Sequence, residues 1–188
     1  MPAEPAGRGL PWALALAVLT IQWLAALNPE LAPLDHEELY NAGHARMIQL
    51  GHLKAALLLQ YRSYCGGCTI NALAGAGIFT VLGPSLWAWK LVPALYSTVA
   101  VLFGSGALQP RVGTLAAVVF AGLFILPPPT WQNLSLVAWG NHMEAGCISV
   151  VAIVLLTRLL ESPSTGRALA LGSVIGLGAM APAIGMAI

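Results

Sequence analysis

The chain reads as an all-α, polytopic membrane helical bundle of about five spans, and three observations carry that reading. Of its 188 residues, 58% are hydrophobic and only 8% are charged, where ordinary soluble domains run to about 25% charged. Its mean hydropathy is +0.80. Its apolar residues fall in runs close to the roughly 20 that a helix needs to cross a bilayer. Disorder is excluded, because disordered chains are poor in apolar residues and rich in net charge. A formal net charge of +1, with no run of Lys or Arg, leaves no field to gather nucleic acid. No Walker loop, nucleophile elbow or dinucleotide fingerprint is present.

Taken in order, the expected spans are Leu10 to Leu27, Ser85 to Leu108, Val112 to Leu126, Leu134 to Leu160, and Ala168 to Ile188. Thr69 to Gly83 is apolar but short, contains Gly75 and Gly77, and closes on Gly83-Pro84. It is expected to lie in the interface or to re-enter it. The first run also reads as a secretory signal, since Arg8 precedes an apolar stretch ending in Ala25-Ala26. Its length and Trp23 favour a retained span.

Arginine placement orients the bundle. If Thr69 to Gly83 does not span, Arg8, Arg111, Arg158 and Arg167 all fall on one side, which the positive-inside rule makes cytoplasmic. Residues 1–188 then form a single transmembrane module with a cytoplasmic N-terminus, a long outer loop over 28–84 and a second outer loop over 127–144. Lys90, one turn below the outer surface, is expected to snorkel outward.

Polar residues are so scarce that their clustering carries information. Asp35, His36, Glu37, Glu38, His44, Arg46, His52, Lys54 and Arg62 all lie in the first outer loop. On a helix from His36 to Leu53, an apolar stripe of Leu39, Ala42, Gly43, Met47, Leu50 and Leu53 opposes Glu37, Asn41, His44 and His52. Such a helix is expected to lie on the membrane surface with its carboxylates toward water. Those carboxylates, followed by Lys54, Tyr61 and Arg62, offer a general base and a cationic hold for a phosphate leaving group. A plain solvated connector is the bland alternative.

The second cluster runs from Trp131 to Glu144 behind Pro127-Pro128-Pro129 and includes Asn141, His142 and Glu144. Polar groups at a membrane boundary are costly unless paired, solvated or used. The two tryptophans alone also fit an aromatic belt. His142, Glu144 and a first-loop carboxylate are the candidate set for a divalent metal, on bare spacing only. Cys65-Gly-Gly-Cys68 has no βαβ pattern around it, so a structural bridge or two idle thiols is expected rather than redox chemistry. Cys147 reads as a small packing residue.

The order of these features resembles the N-terminal part of the GT-C glycosyltransferases, the broad group of dolichyl-phosphate-mannose protein mannosyltransferases and bacterial lipid A aminoarabinose transferases. The matching pieces are an apolar span, then Asp35-His-Glu-Glu-Leu-Tyr40 with Gly51 about one helix length later, then Leu82-Gly83-Pro84-Ser85-Leu-Trp-Ala-Trp-Lys-Leu91. The family's Asp-Glu pair precedes a Tyr four residues after the Asp. Here His36 takes the Asp position, Glu37 the Glu position, and Asp35 stands one residue early, so the base stays open among Asp35, Glu37 and Glu38. The resemblance implies a polyprenyl-phosphate-linked sugar donor, an outer-face active site, inversion at the sugar carbon, and a larger fold of which this chain is the N-terminal part. It implies Glu37, then Asp35, as the base toward the acceptor, with Lys54 and Arg62 holding the lipid phosphate. Glu144 or the Asn141-His142 pair is then the second-loop polar site.

The competing readings are a small transporter or channel subunit, and an inactive membrane scaffold fragment. The sequence names neither the sugar, the acceptor nor a cofactor.

Overall fold

The computed structural model describes residues 9–32, 34, 36–54, 68–139 and 142–186. Among them are eight helices: α1 (Leu10–Ala26), α2 (His36–Gln49), α3 (Cys68–Leu82), α4 (Leu86–Val112), α5 (Thr114–Ile125), α6 (Pro129–Leu136), α7 (Met143–Glu161) and α8 (Thr165–Met186). The all-helical expectation holds for these residues. Two helices, α4 and α7, are long and apolar enough to cross a membrane, while α1 and α5 are shorter apolar helices. Asp35, Tyr61, Arg62, Cys65 and Asn141 lie outside the described residues.

The long helix α4 is the hub, packed by α1, α3, α5, α6 and α7. Its start is set locally. Gly83 takes a positive φ of 78° that only glycine adopts freely. The hydroxyl of Ser85 then accepts from the Ala88 backbone N–H at 3.1 Å, capping the first turn. Where α4 meets α1, α5 and α7, the core is built of Ala15, Val18, Ala100, Val101, Ala121, Phe124, Met143 and Cys147. The alanines let the helix backbones approach closely, and the larger side chains fill the space beside them. Gly104 shows the same requirement: a Cβ there would overlap the Phe120 ring. Cys147 is a free, buried thiol.

Side-chain ties set the relative directions. Trp23, near the end of α1, donates from Nε1 to the Trp87 carbonyl at 3.1 Å, so α1 runs antiparallel to α4. Gln22 donates from Nε2 to the Phe124 carbonyl at 2.8 Å. That carbonyl belongs to the last turn of α5, where no backbone partner remains. The Arg111 guanidinium meets the Glu161 carboxylate at 2.7 Å, joining the C-terminal ends of α4 and α7, so these two run parallel. The starts of α4 and α7 therefore share one end of the bundle, and Arg111, Arg158 and Arg167 share the other.

Thr69 to Gly83 is packed into the protein as most of α3. A Cβ on Gly75 would overlap the Trp89 ring and press on the Ala45 methyl at 3.0 Å. Gln49 Nε2 donates to the Phe79 carbonyl at 2.6 Å, across the same spacing of 30 positions as Ala45 and Gly75. The helices α2 and α3 are therefore parallel, and one turn back Asn41 comes level with Asn71. Both are buried.

Three expectations are corrected. The helix in the first loop ends at Gln49 rather than Leu53, because Gly51 turns the chain out with φ of 89°. The polarity of that helix is inverted: Glu38, Asn41, His44 and Ala45 are its buried residues, while Leu39 is 59% exposed, as is Leu50 just past its end at 55%. The polar face turns inward because polar partners wait there, on α4 and on the segment after α6. The expected span Leu134 to Leu160 is divided, with α6 ending at Leu136, Val137 extended at φ −111° and ψ 132°, and α7 beginning at Met143.

Candidate functional site

The first turns of α2, the second turn of α4, the segment 136–139 and the start of α7 from residue 142 lie at one end of the bundle. Helix α2 places Glu37, Glu38, Asn41 and His44 within two turns of each other. At the centre, Lys90 Nζ donates to Glu38 Oε1 at 2.9 Å, to Oε2 at 2.8 Å and to the Leu136 carbonyl at 3.3 Å. All three ammonium protons are thereby used. Glu38 Oε1 also accepts from the Ala138 backbone N–H at 3.0 Å. The pair is dry, with side-chain exposures of 1% for Lys90 and 0% for Glu38. Lys90 therefore does not snorkel outward. Its expected route to water is blocked by α2 and the 136–138 backbone, and a carboxylate lies within reach instead.

Asn41, one turn on from Glu38, donates to the Trp139 carbonyl at 3.1 Å and more weakly to that of Ala138 at 3.5 Å. An extended segment after α6 is what exposes these backbone groups to α2, since a helix would have used them internally. His44 Nδ1 lies 3.0 Å from the Tyr40 carbonyl, and the Tyr40 ring stands edge-on to it at 4.4 Å. Burial holds the His44 imidazole below its ordinary pKa, partly offset by that carbonyl.

Glu37 is half-buried and lies close enough to His142 for its charge to act on the imidazole. Burial lowers the His142 pKa and the Glu37 carboxylate opposes that shift. The Trp139 ring packs against His142 at 5.4 Å. Glu144, in the first turn of α7, is 3% exposed. Its Oε1 has no hydrogen-bond partner among the described residues, nor does the hydroxyl of Tyr96, whose environment Glu144 and Cys147 both reach. Asn71 has neither amide atom satisfied among those residues. This interior thus contains more polar capacity than the described residues use.

Of the first-loop residues singled out in the sequence, Glu38 therefore meets the second-loop backbone at Ala138, and Glu37 lies within electrostatic reach of His142. Lys54 does not join them: it is exposed beyond the C-terminal end of α2, whereas Glu37 is on the first turn. No group of three or more His, Cys, Asp or Glu side chains is placed to hold a metal ion among the described residues. Sequence reasoning missed Lys90, Asn41 and Asn71 as members of the site. The available signal was Lys90 itself, an ionisable residue inside an apolar run, which by default marks a paired or functional position.

The chain matches no protein-family model, no curated protein and no solved structure.

Proposed function

We infer that this chain is a membrane glycosyltransferase, or a part of one, transferring a sugar from a polyprenyl-phosphate-linked donor to an acceptor at the outer membrane face. The observation that carries the reading is the seating of α2 on the second polar loop, where Glu38 accepts from the Ala138 N–H beside its Lys90 pair and Asn41 donates to the Trp139 carbonyl, which brings the two polar loops to one end of the bundle. In this reading α1, α4, α5, α7 and α8 cross the membrane, the N-terminus is cytoplasmic, and the arginine-bearing end faces the cytoplasm. The 12 residues of α5 extend only about 18 Å, so the bilayer thins or the flanking Leu126 and prolines complete the crossing.

Glu37 is the base. It takes the proton of the acceptor hydroxyl while the acceptor oxygen bonds to the anomeric carbon, and the bond from that carbon to the phosphate oxygen breaks. The electron pair leaves with the polyprenyl phosphate, and the sugar carbon inverts. Glu38 is a poor base, since its oxygens already accept from Lys90 and Ala138 and no solvent reaches it. Asp35 stays the second candidate base; of the expected phosphate-holding group, Lys54 is displaced beyond the end of α2, which leaves Tyr61 and Arg62 for that role. Membranes bearing the full chain, assayed for transfer from a polyprenyl-phosphate sugar, test this. Glu37→Gln is expected to cut transfer about 100-fold or more, and undiminished activity in both Glu37→Gln and Asp35→Asn sinks the assignment.

A second reading, a solute transporter, draws on the burial of Lys90, Glu38 and Glu144 among helices, where ionisable groups mark substrate or proton pathways. It requires solute uptake into vesicles that is independent of lipid-linked sugar and is lost in Glu144→Gln.

A further inference from the structure

At the end of the bundle remote from the ion pair, α4, α5 and α7 leave between them a groove of ≈ 270 Å³. Gly104 and Ala107 line it from α4, Phe120 from α5, and Val150 and Val154 from α7, with Arg111 beside them. Residues at spacings of three and four share a helix face, so the groove follows α4 and α7 for about two turns, roughly 11 Å. It is apolar along its length and cationic at one end.

That end carries more positive charge than it neutralises. The Arg111 guanidinium, with its side chain 33% exposed, is held by Glu161, itself 53% exposed. Arg167 folds back to donate from Nη1 to the carbonyls of Arg158 and Ser162. Among the described residues, three arginines thus face one carboxylate here. The neighbouring α7 surface is apolar and open, with Ile153 63% and Leu160 73% exposed.

We propose that this groove binds one acyl chain of an anionic phospholipid, with the headgroup drawn to the net positive charge of the arginine-bearing end. Apolar walls take the chain. Arg111 itself is engaged, its Nε and Nη2 donating to Glu161 and its Nη1 to the Ala107 carbonyl, so the headgroup is drawn by the two arginine charges that this carboxylate leaves uncancelled. Anionic lipid in the leaflet at the arginine-rich end supplies the complementary charge. The inference rests on the chain lying in a bilayer and not on sugar transfer, so a chain inactive toward lipid-linked sugars can still pass its test.

The test is native mass spectrometry of the full chain in mild detergent, with dioleoyl phosphatidylglycerol or dioleoyl phosphatidylcholine added. Wild-type protein is expected to retain phosphatidylglycerol about ten-fold better than phosphatidylcholine. Ala107→Trp from α4 and Thr157→Trp from α7 each fill the groove and reduce that retention by about the same factor. Arg158→Gln with Arg167→Gln keeps the groove lining and removes the preference between the two lipids. Equal retention of both lipids by the wild type overturns the proposal. So does undiminished phosphatidylglycerol binding in both tryptophan variants, or a two-chain species that those variants dissolve, which would make a second copy the occupant.

Discussion

The Lys90 ammonium donates to both oxygens of the Glu38 carboxylate, at 2.9 and 2.8 Å, and neither side chain reaches solvent. The pair joins α2 to α4 and, through the Leu136 carbonyl and the Ala138 N–H, fixes the segment that leads to His142. Removing one partner strands the other charge where no water can solvate it.

Lys90→Met is therefore expected to destabilise the chain by about 3–5 kcal/mol. Lys90→Met combined with Glu38→Leu removes both charges and is expected to recover most of the loss. Urea unfolding in detergent micelles measures both. A single variant as stable as the double one would contradict the pairing.

The approach of α3 to α4 yields a second expectation. Gly75→Ala forces its methyl into the Trp89 ring and is expected to cost about 1–3 kcal/mol. Gly77→Ala on the same helix meets open space and is expected to be neutral or slightly stabilising. Melting temperatures of the two variants, measured side by side, check the orientation of α3.

Stability is expected to fall on acidification. Burial sets the His44 and His142 pKa values below the ordinary 6.5 in the folded chain. As the pH drops through 6.5, the unfolded chain takes up these protons first. The stability present above that value is then lost as the pH falls through the folded-state values. Thermal melts between pH 8 and pH 5 should show this slope, and His44→Gln with His142→Gln should flatten it; an unchanged slope would contradict the assignment.

The shared direction of α4 and α7 predicts labelling. In a background lacking the native cysteines, Ser85→Cys and His142→Cys should react with an impermeant maleimide from one side of sealed vesicles. Gly113→Cys and Ser162→Cys should react from the other. Labelling of Ser85→Cys and His142→Cys from opposite sides would exclude a site shared by the two loops.

Gln22 offers a smaller check on the α1–α5 contact. Gln22→Leu leaves the Phe124 carbonyl without its donor, and a loss of about 1–3 kcal/mol is expected on unfolding.

The helical class, the apolar runs and the two polar clusters are legible in the residue order, because composition and run length act locally. The start of α4 was legible in Gly83-Pro84-Ser85, and α3 in a run that differs from it by one residue at either end. The facing of α2 was not legible. An amphipathic pattern separates two faces without saying which one a partner covers, and here the polar face is covered because Lys90 and the 136–139 backbone lie against it. That Lys90 is a buried partner of Glu38, 52 positions away, rather than a charge reaching for water, emerges only in the folded chain. The same holds for Glu37 and His142, since the field of a carboxylate acts through space and no spacing along the chain records it.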